Sequence, residues 1–278
     1  MSHTNILQQA ILIACDEVKS ALKSKRAIIT FISYIALFIL LGMAFNQLYA
    51  HAMEHAQNYN FNEAELKRLM KAVGAEVERN SPRMEYLFTI PVAALFTFLL
   101  NFIFTSSLTV ILGFDAISQE YASQSIRYIL IRVSRLTFYL GKLLGQTFIV
   151  LGILNLAFML VVLLSMFKIP PQQIGPLIFY SLKYQFYLSL YAICQISFVL
   201  LISSLIQRPM LALLIASFSP IILYVVALKH FSFLLPFKYI QYVFDPESSK
   251  VFIAAIAWIL FTMFNLGVAL GIFSKRDL

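Results

Sequence analysis

The sequence predicts an all-α integral membrane protein, and three observations carry that prediction. Of the 278 residues 60% are hydrophobic and only 12% are charged, whereas a soluble domain is about half apolar and about a quarter charged. Mean hydropathy is correspondingly high, at +0.83. The apolar residues also fall into long blocks, and about 20 residues at 1.5 Å rise each cross a hydrocarbon core of about 30 Å. Barrel strands would instead alternate apolar and polar over roughly ten residues, and stretches such as 196–206 do not alternate, which excludes a barrel.

Taken in order, residues 6–24 place Ile6, Ala10, Ile13, Val18 and Leu22 at roughly helical spacing, with Gln9, Asp16, Glu17, Lys19 and Lys23 between them. This pattern predicts an amphipathic helix lying in the membrane interface. Lys23, Lys25 and Arg26 end it, and 27–45 is the first span. The polar segment 46–85 is an extracytoplasmic loop subdomain, in which Asn62 and Glu65 form a capping box for a helix reaching about residue 77. Spans follow at about 86–113, 138–167, 178–206, 210–228 and 251–273, giving six in all. Pro170 and Pro171 mark one turn and Gln207, Arg208 and Pro209 another. Residues 229–250 are dense in aromatics, among them Phe231, Phe233, Phe237, Tyr239, Tyr242 and Phe244, which suits short helices dipping into the outer leaflet.

Six spans put both termini on one side, and positive charge before the first span assigns that side to the cytoplasm. Eleven Lys and Arg then lie inside against ten outside, with five acids inside and eight outside. The formal net charge of +8 is scattered along the polar joints, with no run that would grip nucleic acid. The two cysteines, Cys15 and Cys194, are too few for a disulfide framework or a four-thiolate metal site and read as packing residues. Polar Asp16, Glu17 and Lys19 precede the first long block, so no cleaved leader is expected.

The most informative stretch is the polar joint 114–136, which reads Phe114-Asp115-Ala116-Ile117-Ser118-Gln119-Glu120-Tyr121-Ala122-Ser123-Gln124-Ser125-Ile126-Arg127 and continues through Leu130, Arg132, Ser134 and Arg135 to Gly141-Lys142. It resembles the cytoplasmic signature of ABC-2 type permeases, in which an acidic residue and often Tyr lead to Ser-Gly-Thr-Ile-Arg, a Leu pair, Arg-Pro-Val-Ser-Arg and a Gly-Lys opening the next span. Two positions depart from that pattern: Gln124 stands where the family has Gly, and the Pro before Val133-Ser134-Arg135 is missing. The amphipathic start, the aromatic segment before the last span and the terminal Lys275-Arg276-Asp277-Leu278 are similar to the family's elbow helix, re-entrant segment and Arg-Asp-Leu ending.

The resemblance implies residues 1–26 as a cytoplasmic elbow helix and 27–278 as a six-helix transmembrane domain in the inner (cytoplasmic) membrane. It also implies pairing with a second permease copy as a homodimer and docking on a separate ABC ATPase subunit. Asp115, Glu120, Tyr121, Ser123 and Arg127 would be the coupling residues. ATP and Mg would be held by the partner, with no cofactor, metal or catalytic residue on this chain. The chain itself has no phosphate loop, because Gly141-Lys142 is followed by Leu143 and not by Ser or Thr. Such a subunit would export or flip an amphiphilic substrate.

Each candidate also has a plainer reading. Glu120 either meets a partner's donors or favours the dipole of the helix it begins. Arg127, Arg132 and Arg135 orient the span, bind anionic headgroups or meet the partner. His51 and His55 share a helical face beside Glu54, but two imidazoles suit a solvated face better than a metal site. Asn101 and Gln195, within spans, either line a pathway or hydrogen-bond between helices, and Lys183 lies close enough to a span end to snorkel. The alternative class is an ATP-independent secondary transporter or channel, which would call for paired broken helices with ionisable residues at mid-membrane. A membrane-embedded enzyme would need clustered polar machinery in the spans, and neither pattern stands out in the sequence.

Overall fold

The computed structural model describes residues 6–58, 86, 90–167, 171–230, 236–245 and 247–275. The proposed loop helix after Asn62, the Pro170 turn, Phe231, Phe233 and the C-terminal Arg276-Asp277-Leu278 lie outside those residues. The order is α1 (Ile6–Lys23), α2 (Lys25–Asn58), α3 (Val92–Gly113), α4 (Ser118–Ala122), α5 (Ser125–Arg132), α6 (Arg135–Met166), α7 (Pro171–Leu205), α8 (Pro209–His230), a 3-10 turn (Pro236–Tyr239), α9 (Ile240–Val243) and α10 (Ser248–Lys275). No strand occurs among the described residues.

Among the described residues, five helical stretches are long and apolar enough to cross a membrane: Lys25–Leu48, Val92–Ala122, Arg135–Met166, Ile174–Leu205 and Ser249–Ile272. Pro91, extended at φ −57° and ψ 127°, sets the start of α3 later than the apolar block alone suggests. Ser134 caps α6 by accepting from the Thr137 amide at 3.1 Å. The stretch of α7 that can span is central, with 72% of its most apolar window buried, against 17% for α2 and 22% for α10 at the periphery. In α8 the apolar stretch meeting the same composition test is Pro209–Ser219.

Two packed regions hold the bundle. Around the helices that flank the polar joint, Phe38, Leu108, Ile117, Phe138, Tyr139, Leu154 and Leu200 form one core. Phe98, Tyr184, Leu188, Tyr191, Cys194, Val243 and Trp258 form a second, largely aromatic one. There Trp258 Nε1 donates to the Pro236 carbonyl at 2.8 Å, and Phe98 meets Phe244 edge-on at 5.2 Å. These contacts fix the aromatic segment 236–245 against the spans. Cys194 is buried as expected of a packing residue, whereas Cys15 is exposed on α1, so the packing role assigned to it from sequence does not hold.

Polar groups inside the spans are used to join or brace helices. Tyr34 Oη donates to Asn101 Oδ1 at 3.3 Å, and Asn101 Nδ2 donates to the Thr97 carbonyl at 2.9 Å. Gln195 Nε2 donates to Tyr191 Oη at 2.9 Å, which also lies 3.3 Å from Ser106 Oγ. Lys183 Nζ donates to Tyr86 Oη at 2.8 Å.

Candidate functional site: a charged joint of four helices

Small residues bring the first helix into the site. Ala10 and Ala14 of α1 are buried against α6, where Gly141 and Gly145 leave a groove. A Cβ at Gly141 would lie 2.6 Å from Ile13 Cβ, and one at Gly145 would lie 2.7 Å from Glu17 Cβ. Small residues four apart on both helices permit this close approach. Large apolar side chains on α1, including Leu7, Ile11 and Leu22, remain exposed. The amphipathic helix is therefore docked along α6, and its sequence signal was Gly141-xxx-Gly145 facing Ala10-xxx-Ala14.

That docking carries Glu17 to Lys142. Lys142 Nζ lies 2.7 Å from Glu17 Oε2 and 3.2 Å from Glu120 Oε1. Gln146 Nε2 donates to Glu17 Oε1 at 3.0 Å, and Ser125 Oγ donates to Glu120 Oε2. One ammonium group thus joins α1, α4 and α6, with its own side chain 8% exposed and the two carboxylates 16% and 25% exposed. A second pair ties the start of α2 to the same joint: Arg26 donates through both terminal nitrogens to Asp115, at 2.6 and 2.9 Å, and its guanidinium lies 4.9 Å from the centre of the Phe114 ring. Bidentate geometry makes this stronger than an ordinary surface pair.

Helix α7 supplies the remaining tie. Ser203 Oγ accepts from the backbone amides of Ile117 and Ser118 at 3.1 and 3.0 Å, and all three residues are buried. It satisfies donors at the start of α4 that have no carbonyl four residues back. We expect Ser203→Ala to cost about 2 kcal/mol by leaving buried amides without an acceptor. Hydrogen exchange at 117–118 should quicken at least tenfold, and Ser203→Thr should restore protection.

Between α4 and α5 the chain turns at Gln124, with φ 58° and ψ 7°, the one non-glycine residue at positive φ among those described. The backbone there takes the left-handed conformation that glycine adopts without penalty, so Gln124 holds the turn at a cost of about 1 kcal/mol. Gln124→Gly should accordingly raise the thermal midpoint and Gln124→Val lower it, which a melting series in detergent would measure.

Of the residues singled out from the sequence, Asp115 and Glu120 are drawn into ion pairs within the joint. Tyr121 packs partly buried against the core. Ser123 Oγ donates to the Gln119 carbonyl at 2.9 Å, which holds the end of α4. Arg127 is exposed on α5, alongside Tyr128 at 75% and Ile131 at 81% exposure. Those two apolar side chains, three apart on one helical face, and the anchors Glu17, Lys142 and Ser203 were missed by the sequence reading. His51 is exposed at the far end of α2, and the His55 side chain lies outside the described side chains. No three His, Cys, Asp or Glu residues among those described come together as a metal site.

The joint encloses a cleft of about 850 Å³ between α1, the start of α2, the 115–123 segment and α6. Described residues that are helical throughout their regular structure, with five apolar helices of spanning length among them, have the architecture of a multi-pass membrane protein. No family model matches the chain, and no curated protein matches it.

Proposed function

We propose that this chain is the membrane-spanning permease subunit of an ATP-driven transporter of the ABC-2 type. The observation that carries this reading is the arrangement of 114–136: a short helix, α5, presents Tyr128 and Ile131 outward while the segment is braced through Asp115, Ser118 and Glu120 to α2, α7, α6 and α1. An exposed apolar pair on a braced base suits a surface that receives force from a partner and passes it to the spans. In this reading α5 docks on a separate ATPase chain, which holds ATP and Mg, and α1 is the elbow helix.

In the same reading α8 is the sixth span. Its 22 residues reach about 33 Å at 1.5 Å each, enough for the hydrocarbon core. Both termini then face the cytoplasm of a cell whose inner membrane holds the protein, since Lys19, Lys23, Arg26, Arg127, Arg132 and Arg208 lie at the end where α1, α4 and α5 meet. The cargo is an amphiphile, exported or flipped by a pair of permease copies, because the spans devote their few polar side chains to bonds such as Tyr34 to Asn101 and Gln195 to Tyr191.

Purification of the tagged chain from its native membranes in mild detergent tests the proposal. The expected result is a stoichiometric ATPase chain whose retention falls at least tenfold in Tyr128→Asp/Ile131→Asp. Recovery of the intact membrane chain with no ATPase would overturn it.

A further inference from the structure

The cleft at the joint has more negative charge than it neutralises. Asp16, Glu17, Asp115 and Glu120 line it, against Arg26 and Lys142. Arg26 is spent on Asp115 through both terminal nitrogens, and Lys142 is shared between Glu17 and Glu120. One negative charge therefore remains on the Glu17/Glu120 pair and a second on Asp16, which is exposed at the cleft. Two formal charges in a semi-enclosed space draw a cation.

An independent feature calls for a hydrogen-bond donor. Gln146 lines the same cleft, is only 4% exposed, and gives its Nε2 to Glu17. Its Oε1 has no hydrogen-bond partner among the described residues, and a buried amide oxygen left in that state is unfavourable. The cleft is thus short of positive charge and of donors on the same side, where α1 meets α6. A bare metal ion does not meet that need, since no three acidic side chains among the described residues converge on a point. An ammonium group does, because it brings a charge together with up to three N–H donors that can reach separate acceptors. The rest of the lining includes Phe138, Leu112 and Ile149, which suits an aliphatic chain next to the charged head, and about 850 Å³ lies within the range of small-molecule sites.

The geometry points to a binding site for an organic primary ammonium ion in the cleft between α1 and α6, with Asp16, Glu17 and the Gln146 amide oxygen as its acceptors. The ammonium comes either from an aminolipid headgroup or from a free polyamine, and the site stands apart from whether an ATPase docks on α5.

Isothermal titration of the full chain in a neutral maltoside with octylamine, spermidine and, as the charge control, octanoate tests this. At least one amine should saturate and octanoate should not. Saturation by octylamine alone assigns the site to a lipid headgroup, and saturation by spermidine alone assigns it to a polyamine. Asp16→Asn, an exposed position where loss of fold is not expected, should weaken the amine at least fivefold, as should Gln146→Leu in protein with an unchanged thermal midpoint. Absence of saturable amine binding, equal binding of octanoate, or wild-type affinity in Asp16→Asn would overturn the proposal.

Discussion

Gly141→Val is expected to lift α1 off α6 and to open the charged joint. The new Cβ would stand 2.6 Å from Ile13 Cβ and 3.0 Å from the Ala10 carbonyl oxygen, atoms fixed to the α1 backbone that no rotamer change can move. The helices must separate, and overpacking of this kind costs about 3 kcal/mol. Separation also removes Glu17 from Lys142 and Gln146. Limited trypsin digestion reads the result directly, because Lys19 and Lys23 lie on α1 and a docked helix resists cleavage. Cleavage there should quicken at least tenfold in Gly141→Val. Gly145→Val should behave similarly, whereas Gly152→Val, where a Cβ meets nothing within 4 Å, should leave the rate unchanged. Equal rates in all three variants would show that α1 is not held by this groove.

Lys142→Met should have the next largest effect. It leaves two carboxylates, 16% and 25% exposed, facing one another without the ammonium that joins them. Removing one partner of a largely buried ion pair costs about 3 kcal/mol, mostly through the uncompensated charge left behind. The thermal midpoint should therefore fall by several degrees. Lys142→Arg should retain most of it, and adding Glu17→Gln and Glu120→Gln to Lys142→Met should recover most of the loss, since the repulsion is then gone. Failure of the triple variant to recover would mean that Lys142 acts through packing alone.

Both predictions rest on contacts that the sequence carried only in part. The apolar blocks marked five helices of spanning length among the described residues, because each such helix must cross lipid alone and composition suffices to show it. The sixth expected span, 210–228, coincides instead with a helix whose apolar stretch is the shorter Pro209–Ser219. The amphipathic start was legible from the spacing of Ala10 and Ile13, and the polar joint 114–136 stood out by its charges. Neither pattern says what meets what. Glu17 and Lys142 are 125 residues apart, and local periodicity carries no signal for a pairing fixed by two glycines on a distant helix. Glu120 read as a residue facing a partner or a helix dipole because its cation lies in the following span. Ser203 was silent for a different reason: a serine near a helix end is common, and only the fold brings the amides of Ile117 and Ser118 to it. Gln124 carries no local sequence signal for its left-handed backbone, since a glutamine gives no hint of positive φ.

In the proposed reading, α1, α4 and α6 move as one body when an ATPase partner docked on α5 uses ATP. Hydrogen exchange of the chain purified with the ATPase proposed to dock on it, compared with and without a non-hydrolysable ATP analogue, tests this most directly. The expected result is a shared change in peptides covering 6–23 and 115–132, lost from 6–23 alone in Lys142→Met. Exchange that changes only in the ATPase, or in 115–132 without 6–23 in the wild type, would contradict it.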